Sequence, residues 1–337
     1  MIIQLIGFGN VGRNLVGLIR EKEDALELLG IPVKVVSISD SRGTAIDREG
    51  LELDEVLKRK HDGLKILDKY VPNCSATEAI KNVVSDVVVE LTPSTFSGEP
   101  GFSHIKTALM MKKNVVTANK GPLVVNYKEL VELAERNGVR LLYEATVAAH
   151  LPVFCMVDSC FKVDELLCLQ GILNATTNFM IGEMEKGKTF DGALKRAIKD
   201  GWAETESADD VDGVDAARKV VILANSLFKT NAKLEDVKVR GIRDVEGLIE
   251  KAETLSKKVK LLCEISREGN RLRLSVGPKI IAQDDPLSTV NGGDMALKLN
   301  FKKSQQVFVS VRFQGPEQTA QAVLNDIVKI GEACNAC

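Results

Sequence analysis

From its first residues to about position 150, the chain alternates short β-branched runs with segments whose apolar residues recur every three or four positions. Runs of the first kind mark strands and the second kind amphipathic helices. Residues 2–6 read as a strand, and 11–20 as a helix with Val11, Leu15, Leu18 and Ile19 on one face. Further strands are expected at 33–40, 86–92, 114–118 and 139–147. Helices are expected at 53–60 (weakly), 105–112 and 128–137, the last stopped by Gly138. Continuous apolar strands separated by helices predict a parallel sheet covered on both faces. After about residue 150 the pattern changes. A helix from 151 leads into VDELLCLQGIL, and 260–266 and 271–280 form a hairpin around the turn REGN. A strand at 307–313 and a helix at 317–330 follow. Such runs predict a separate α+β domain, so the expected class is α/β: a Rossmann-type parallel-sheet domain plus an α+β domain.

Composition narrows the functions. With 337 residues, 45% hydrophobic, 27% charged and a formal net charge of −2, the chain suits two soluble domains and has no electrostatic pull toward nucleic acid or anionic membrane. No apolar run approaches a bilayer span, and the start lacks a signal-type pattern, so a cytoplasmic location is expected. The seven cysteines, at 74, 155, 160, 168, 263, 334 and 337, are scattered and read as reduced, and the terminal CNAC as idle. Histidine occurs only at 61, 104 and 150, which disfavours a His-rich metal site.

GFGNVG, residues 7–12, follows a strand and opens a helix, the context in which G-x-G-x-x-G has meaning. Gly7 permits the tight turn, Gly9 lets backbone approach a pyrophosphate, and Gly12 lets helix and strand pack closely. The helix start at Asn10 and Val11 then offers N–H groups to phosphates. At the next strand end, SISDSRG, Asp40 suits an NAD ribose, whereas Arg42, with Ser41 and Lys58, suits the 2′-phosphate of NADP. The balance leans to NADP, with NAD left open. Ligands of an open α/β sheet lie beyond the carboxyl ends of its strands, which places Thr92, Pro93 and Ser94 near a nicotinamide and Lys120 in the same crevice.

DVDGVDAARKVVILAN, residues 210–225, sets Asp215 and Lys219 four apart on one helix face. Val211 and Ile222 share that side, and Val214, Ala217, Val220 and Val221 cover much of the rest. A surface helix would show a polar stripe. The pair is therefore expected to point inward.

VVTANKGPL, YEATVAAHLPV, GILNATTNFM and AETESADDVDGVDAARKVVILA resemble, in order, the signatures of homoserine dehydrogenases, a match that spans essentially the whole chain. The resemblance implies reduction of L-aspartate 4-semialdehyde to L-homoserine with NAD(P)H, on the route to threonine and methionine. It implies a nucleotide-binding domain of residues 1–150 with 316–337, and a substrate-binding and dimerisation domain of 151–315. Lys219 matches the catalytic lysine, Asp215 its carboxylate partner, and Lys120 the lysine of the TANK motif. Glu204 and Asp210 match groups that hold the substrate's amino end, and Asn174 and Thr176 match pocket residues. Gly315 joins the coenzyme contacts. A sodium-like monovalent cation would be held by backbone carbonyls around Glu144, Val147, Ala149 and Leu151, and a homodimer is expected. Which lysine carries the proton is left open.

The form resembled has a single function, without kinase or ACT-type domain, so threonine feedback through such a domain is not expected. Ala148, Ala149 and His150 stand where the family usually has glycines, which raises a left-handed backbone at His150. Trp202 replaces a tyrosine-type residue, and Ala175 stands where glycine is common. These departures motivate an alternative, a weakly catalytic NAD(P)-binding paralogue that serves as a sensing module.

Overall fold

The computed structural model describes residues 1–58, 64, 67–269 and 271–335. Residues 59 and 60 of the weak helix, Asn270 of the expected turn and the last two residues of CNAC lie outside the described residues. By its contacts the chain divides into two units, Met1–His150 with Gly315–Cys337, and Leu151–Gln314.

The first unit opens with β1 (Ile2–Ile6), α1 (Asn10–Glu21), α2 (Glu23–Leu28) and β2 (Lys34–Ser39). Next come β3 (Gly43–Ile46), α3 (Leu53–Lys58), β4 (Tyr70–Pro72) and α4 (Ala76–Asn82). β5 (Val87–Glu90), α5 (Gly101–Met110), β6 (Asn114–Thr117), α6 (Lys120–Asn137) and β7 (Leu141–Leu142) complete this stretch. The sheet order is β4-β3-β2-β1-β5-β6-β7. β2, β1, β5, β6 and β7 pair in parallel; the apolar side chains of the first four are almost wholly buried because helices cover the sheet, and Leu141 and Leu142 of β7 are half-buried.

Two parts of this unit differ from the expectation. β3 and β4 add an antiparallel edge within the charged region. The strand expected at 139–147 pairs only at Leu141 and Leu142, where it meets Val115 and Val116. The chain then turns into a 3-10 segment, Glu144–Thr146, because the Glu144 N–H donates to the Asp326 carboxylate at 2.9 Å instead of to a strand. α6 also starts earlier than expected, capped by Asn119 and interrupted by one non-helical residue, Asn126.

The second unit runs α7 (Val153–Cys160), β8 (Leu166–Ile172), α8 (Ala175–Met184), α9 (Phe190–Lys199), α10 (Ala208–Val211) and α11 (Val214–Leu227). It continues with β9 (Val237–Val239), α12 (Glu246–Thr254), β10 (Lys258–Glu268), β11 (Arg271–Ile281), β12 (Met295–Phe301) and β13 (Gln305–Val311). The sheet order is β13-β12-β8-β10-β11-β9, antiparallel throughout except for the β11–β9 pair. α11 lies on β9, β10 and β11 and is buried from Ala216 to Ser226. α13 (Pro316–Asn335) belongs to the first unit, packed on α1. Among the described residues, no helix is long and apolar enough to cross a membrane.

Candidate active site

In the first unit, the turn after β1 is dictated by two glycines. Gly7 adopts φ +98°, and a Cβ there would stand 2.7 Å from the Leu91 carbonyl carbon. A Cβ on Gly12 would stand 2.4 Å from the Gly7 carbonyl oxygen, so α1 can pack on the strand only with glycine in place. Gly9 differs: a Cβ there would meet nothing within 4 Å, and no side chain caps α1. Its first amides, at Asn10 and Val11, are therefore left without a side-chain cap at the positive end of the helix dipole. This cradle fits a pyrophosphate.

At the end of β2, Asp40 Oδ1 accepts the N–H groups of Arg42 at 2.8 Å and Gly43 at 3.0 Å, and the Tyr70 hydroxyl at 3.2 Å. That oxygen is committed to its own turn, whereas Ser41 and Arg42 are exposed. Beyond β5, Thr92 and Ser94 are half-buried and Pro93 is exposed, and Ser94 Oγ is a buried atom without a hydrogen-bond partner. Lys120 is the first residue of α6, and Gly315 precedes α13 with φ +151°.

In the second unit, Asn174 and Thr176 at the start of α8 meet Asp210 of α10 and Asp215 and Lys219 of α11. Asn174 does two jobs. Its Oδ1 caps α8 by accepting the Thr177 N–H at 2.9 Å, while its Nδ2 donates to Asp210 Oδ1 at 2.6 Å and Asp215 Oδ2 at 3.1 Å. Thr176 Oγ1 lies 2.5 Å from the Trp202 carbonyl oxygen and 3.2 Å from Asp210 Oδ2. Lys219 Nζ is 2.7 Å from Asp215 Oδ2 and donates to the Leu173 carbonyl at 2.6 Å. The lysine side chain is 11% exposed and the aspartate 16%, so the pair belongs to the interior of the unit. Burial, and then the neighbouring Asp215 charge, push the Asp210 carboxyl above its ordinary range. Two carboxylates and one ammonium leave this pocket with an excess negative charge. Glu204 is exposed and stands outside this hydrogen-bonded set.

Sequence reasoning missed three supports of this cluster. The Leu173 carbonyl is invisible in any motif of side chains. Cys263, wholly buried on β10, keeps its thiol neutral because burial pushes its pKa up to about 12. Gly293 is shaped by Trp202: a Cβ there would stand 2.0 Å from the indole, which stacks on Phe179. A glycine in a polar loop and a distant tryptophan give no local signal of their contact.

The segment of 144–151 carries its strain one residue earlier than expected. Ala149, with φ +51°, takes the left-handed backbone, not His150. A non-glycine residue there costs roughly 1 kcal/mol. His150 Nδ1 is buried without a hydrogen-bond partner, and burial lowers its pKa. Glu144, Val147, Ala149 and Leu151 are all buried. Among the described residues, no group of three or more His, Cys, Asp or Glu side chains could hold a metal.

Two family models match the chain: the homoserine dehydrogenase NAD-binding domain over residues 7–144, and homoserine dehydrogenase over 152–328. The chain is 38% identical over 336 residues to a homoserine dehydrogenase of Methanocaldococcus jannaschii, covering 98% of each. It is 32% identical over 338 residues to an NAD(+)-dependent homoserine dehydrogenase of Pseudomonas canavaninivorans, covering 98% of this chain and 96% of that one. A hyperthermophilic archaeal homoserine dehydrogenase solved in complex with NADPH superposes with a TM-score of 0.86 at 28% identity, covering 98% of both chains. The glycine turn thus lies in the segment that the NAD-binding model matches and the buried lysine–aspartate cluster in the segment that the second model matches, and the chain belongs to the homoserine dehydrogenase family.

Proposed function

We propose that the chain interconverts L-homoserine and L-aspartate 4-semialdehyde by hydride transfer with a nicotinamide coenzyme. The observation that carries this reading is the excess negative charge of the Asp210–Asp215–Lys219 pocket. Burial and then the Asp215 charge raise the Asp210 carboxyl pKa, and Lys219 offsets the two carboxylates only in part. The substrate's ammonium supplies one, held by Asp210 with Asn174 and Thr176 keeping the carboxylate in place. Glu204, exposed in the structure, is the outer carboxylate of the same site in this proposal.

Lys219 does the acid–base work. Two of its three N–H bonds are directed at Asp215 and the Leu173 carbonyl, which fixes the ammonium and leaves the third for a substrate oxygen. In the reductive direction it stabilises the alkoxide that develops there and donates the proton. Lys120, the lysine of the TANK motif, is the second catalytic lysine of this proposal. The turn at Gly7, Gly9, Asn10, Val11 and Gly12 would hold the pyrophosphate, and Thr92, Pro93, Ser94 and Gly315 would flank the nicotinamide, which supplies the hydride. A coenzyme-sensing module would gain nothing from a buried ammonium paired with Asp215 beside a second carboxylate, Asp210, which disfavours that alternative.

NADP is the preferred coenzyme in this reading. Asp40 is engaged by its own turn and Tyr70, while the exposed Ser41 and Arg42 suit a 2′-phosphate. A monovalent cation such as sodium would take the main-chain carbonyls of Glu144, Val147 and Ala149, with Leu151 two residues further along the chain. The working form is a homodimer. The test is oxidation of L-homoserine with NADP and with NAD, followed at the nicotinamide absorbance. Turnover is expected with at least one coenzyme and faster with NADP. Folded protein that turns over homoserine with neither would sink the proposal.

A further inference from the structure

β5 ends in a carboxylate hidden inside an apolar run. Glu90 is 0% exposed, yet it accepts hydrogen bonds from both loops that follow the central strands. Its Oε1 accepts the Thr92 N–H at 3.1 Å and the Thr92 hydroxyl. Thr117 Oγ1, at the end of β6, lies 2.9 Å from the Glu90 carbonyl oxygen and 3.3 Å from Glu90 Oε2. The next bonds link the two loops to each other. Asn119 donates its N–H to Thr117 Oγ1 at 3.0 Å and its Nδ2 to Thr92 Oγ1 at 3.2 Å, and its Oδ1 accepts the Gly121 N–H at 3.1 Å. His104 Nδ1 closes the far side, 3.5 Å from Glu90 Oε1.

Sterics leave little slack in this arrangement. A Cβ on Gly101 would stand 2.6 Å from Asn119 Nδ2 and 3.3 Å from Glu90 Oε2. One on Gly121 would stand 2.7 Å from the Thr95 carbonyl oxygen. Lys120 is therefore locked between Asn119, which caps its helix, and Gly121, which is seated against the Thr95 loop.

We infer that Glu90 is a positioning residue for the nicotinamide half of the coenzyme. From beneath the strand ends it fixes Thr92 and, through Thr117 and Asn119, Lys120 at a set spacing. The inference rests on the proposed coenzyme site, with Thr92–Ser94 and Lys120 on its nicotinamide side. Glu90 itself touches neither ligand. A loss at Glu90 should therefore loosen the nicotinamide end and spare the adenosine end, which lies on the glycine turn and the β2 end.

Binding of NADPH and of 2′-phospho-ADP-ribose, which lacks the nicotinamide ring, separates these ends. Glu90→Leu and the isosteric Thr117→Val are expected to weaken NADPH by about tenfold, the effect of losing buried positioning hydrogen bonds, and to leave 2′-phospho-ADP-ribose within about twofold. Glu90→Gln keeps an acceptor for Thr92 and should stay within about threefold of wild type for both ligands. If Glu90→Leu does not fold, Thr117→Val alone carries the test. Equal weakening of both ligands, or no weakening of NADPH, overturns the inference. The comparison needs no turnover, so an enzyme inactive on homoserine would sink the functional reading while leaving this one to be decided by binding.

Discussion

The turn at residues 7–12 contains no ionisable side chain, whereas the cluster at Lys219 packs two carboxylates and an ammonium into one buried pocket. Both serve charged ligands in the account above, by opposite means. The turn recognises with backbone: three glycines bring amides and a helix dipole to an anion, and the chemistry depends on absent side chains. The cluster recognises with side chains taken out of water, and each ion there is stabilised by a partner from another element. A backbone site tolerates no added atom. A side-chain site tolerates no missing partner.

The largest expected effect breaks the first half of this contrast. Gly12→Ala forces a Cβ to within 2.4 Å of the Gly7 carbonyl oxygen, a clash between backbones with no flexible chain end to yield. The expected result is a stability loss of about 3 kcal/mol by denaturant titration, with coenzyme binding weakened at least about a hundredfold. A neighbour of the second region gives a smaller effect. Gly293→Ala must displace Trp202, whose carbonyl holds Thr176 and through it Asp210. A homoserine KM raised about tenfold, with coenzyme binding unchanged, is the outcome expected of lost substrate positioning. Should coenzyme binding fall equally, the split between the two regions is wrong.

The smallest effect concerns the frame behind the cluster. Lys260 is 1% exposed, and among the described residues its Nζ bonds neutral groups: Asn178 Oδ1 at 3.1 Å, the Val290 carbonyl and Asn291 Oδ1. Burial lowers its pKa from 10.5 to about 8. The folded chain therefore gives up this proton before the unfolded one does. Between pH 8 and 10.5 the unfolded chain binds more protons, so stability rises with pH in that window, and none of the effect arises below it. Relative to Lys260→Met, wild type should gain on the order of 1 kcal/mol per pH unit within that window in paired denaturant titrations. A flat difference would show that Lys260 titrates normally.

The two regions also differed in how far the sequence revealed them. G-x-G-x-x-G was legible because its three requirements are local, and Asp215 with Lys219 because a helix puts every fourth residue on one face. The partners were not legible. Leu173 contributes a carbonyl, Gly293 an absence, and Glu90 a carboxylate inside VVVEL that reads as one more strand position. The edge strands β3 and β4 sit in charged sequence, since their pairing partners rather than their own side chains make them strands. The over-long strand at 139–147 has the converse cause. An apolar run does not show where its hydrogen bonds go, and the Glu144 amide goes to Asp326 on a helix near the other end of the chain.

The contrast rests most heavily on Lys219 acting on substrate and not on coenzyme. The direct measurement is homoserine oxidation by wild type and Lys219→Ala, together with NADPH binding by both and a check that the variant is folded. The account predicts kcat reduced by about a hundredfold or more, with NADPH affinity within about twofold of wild type. Turnover by Lys219→Ala near the wild-type rate would contradict it.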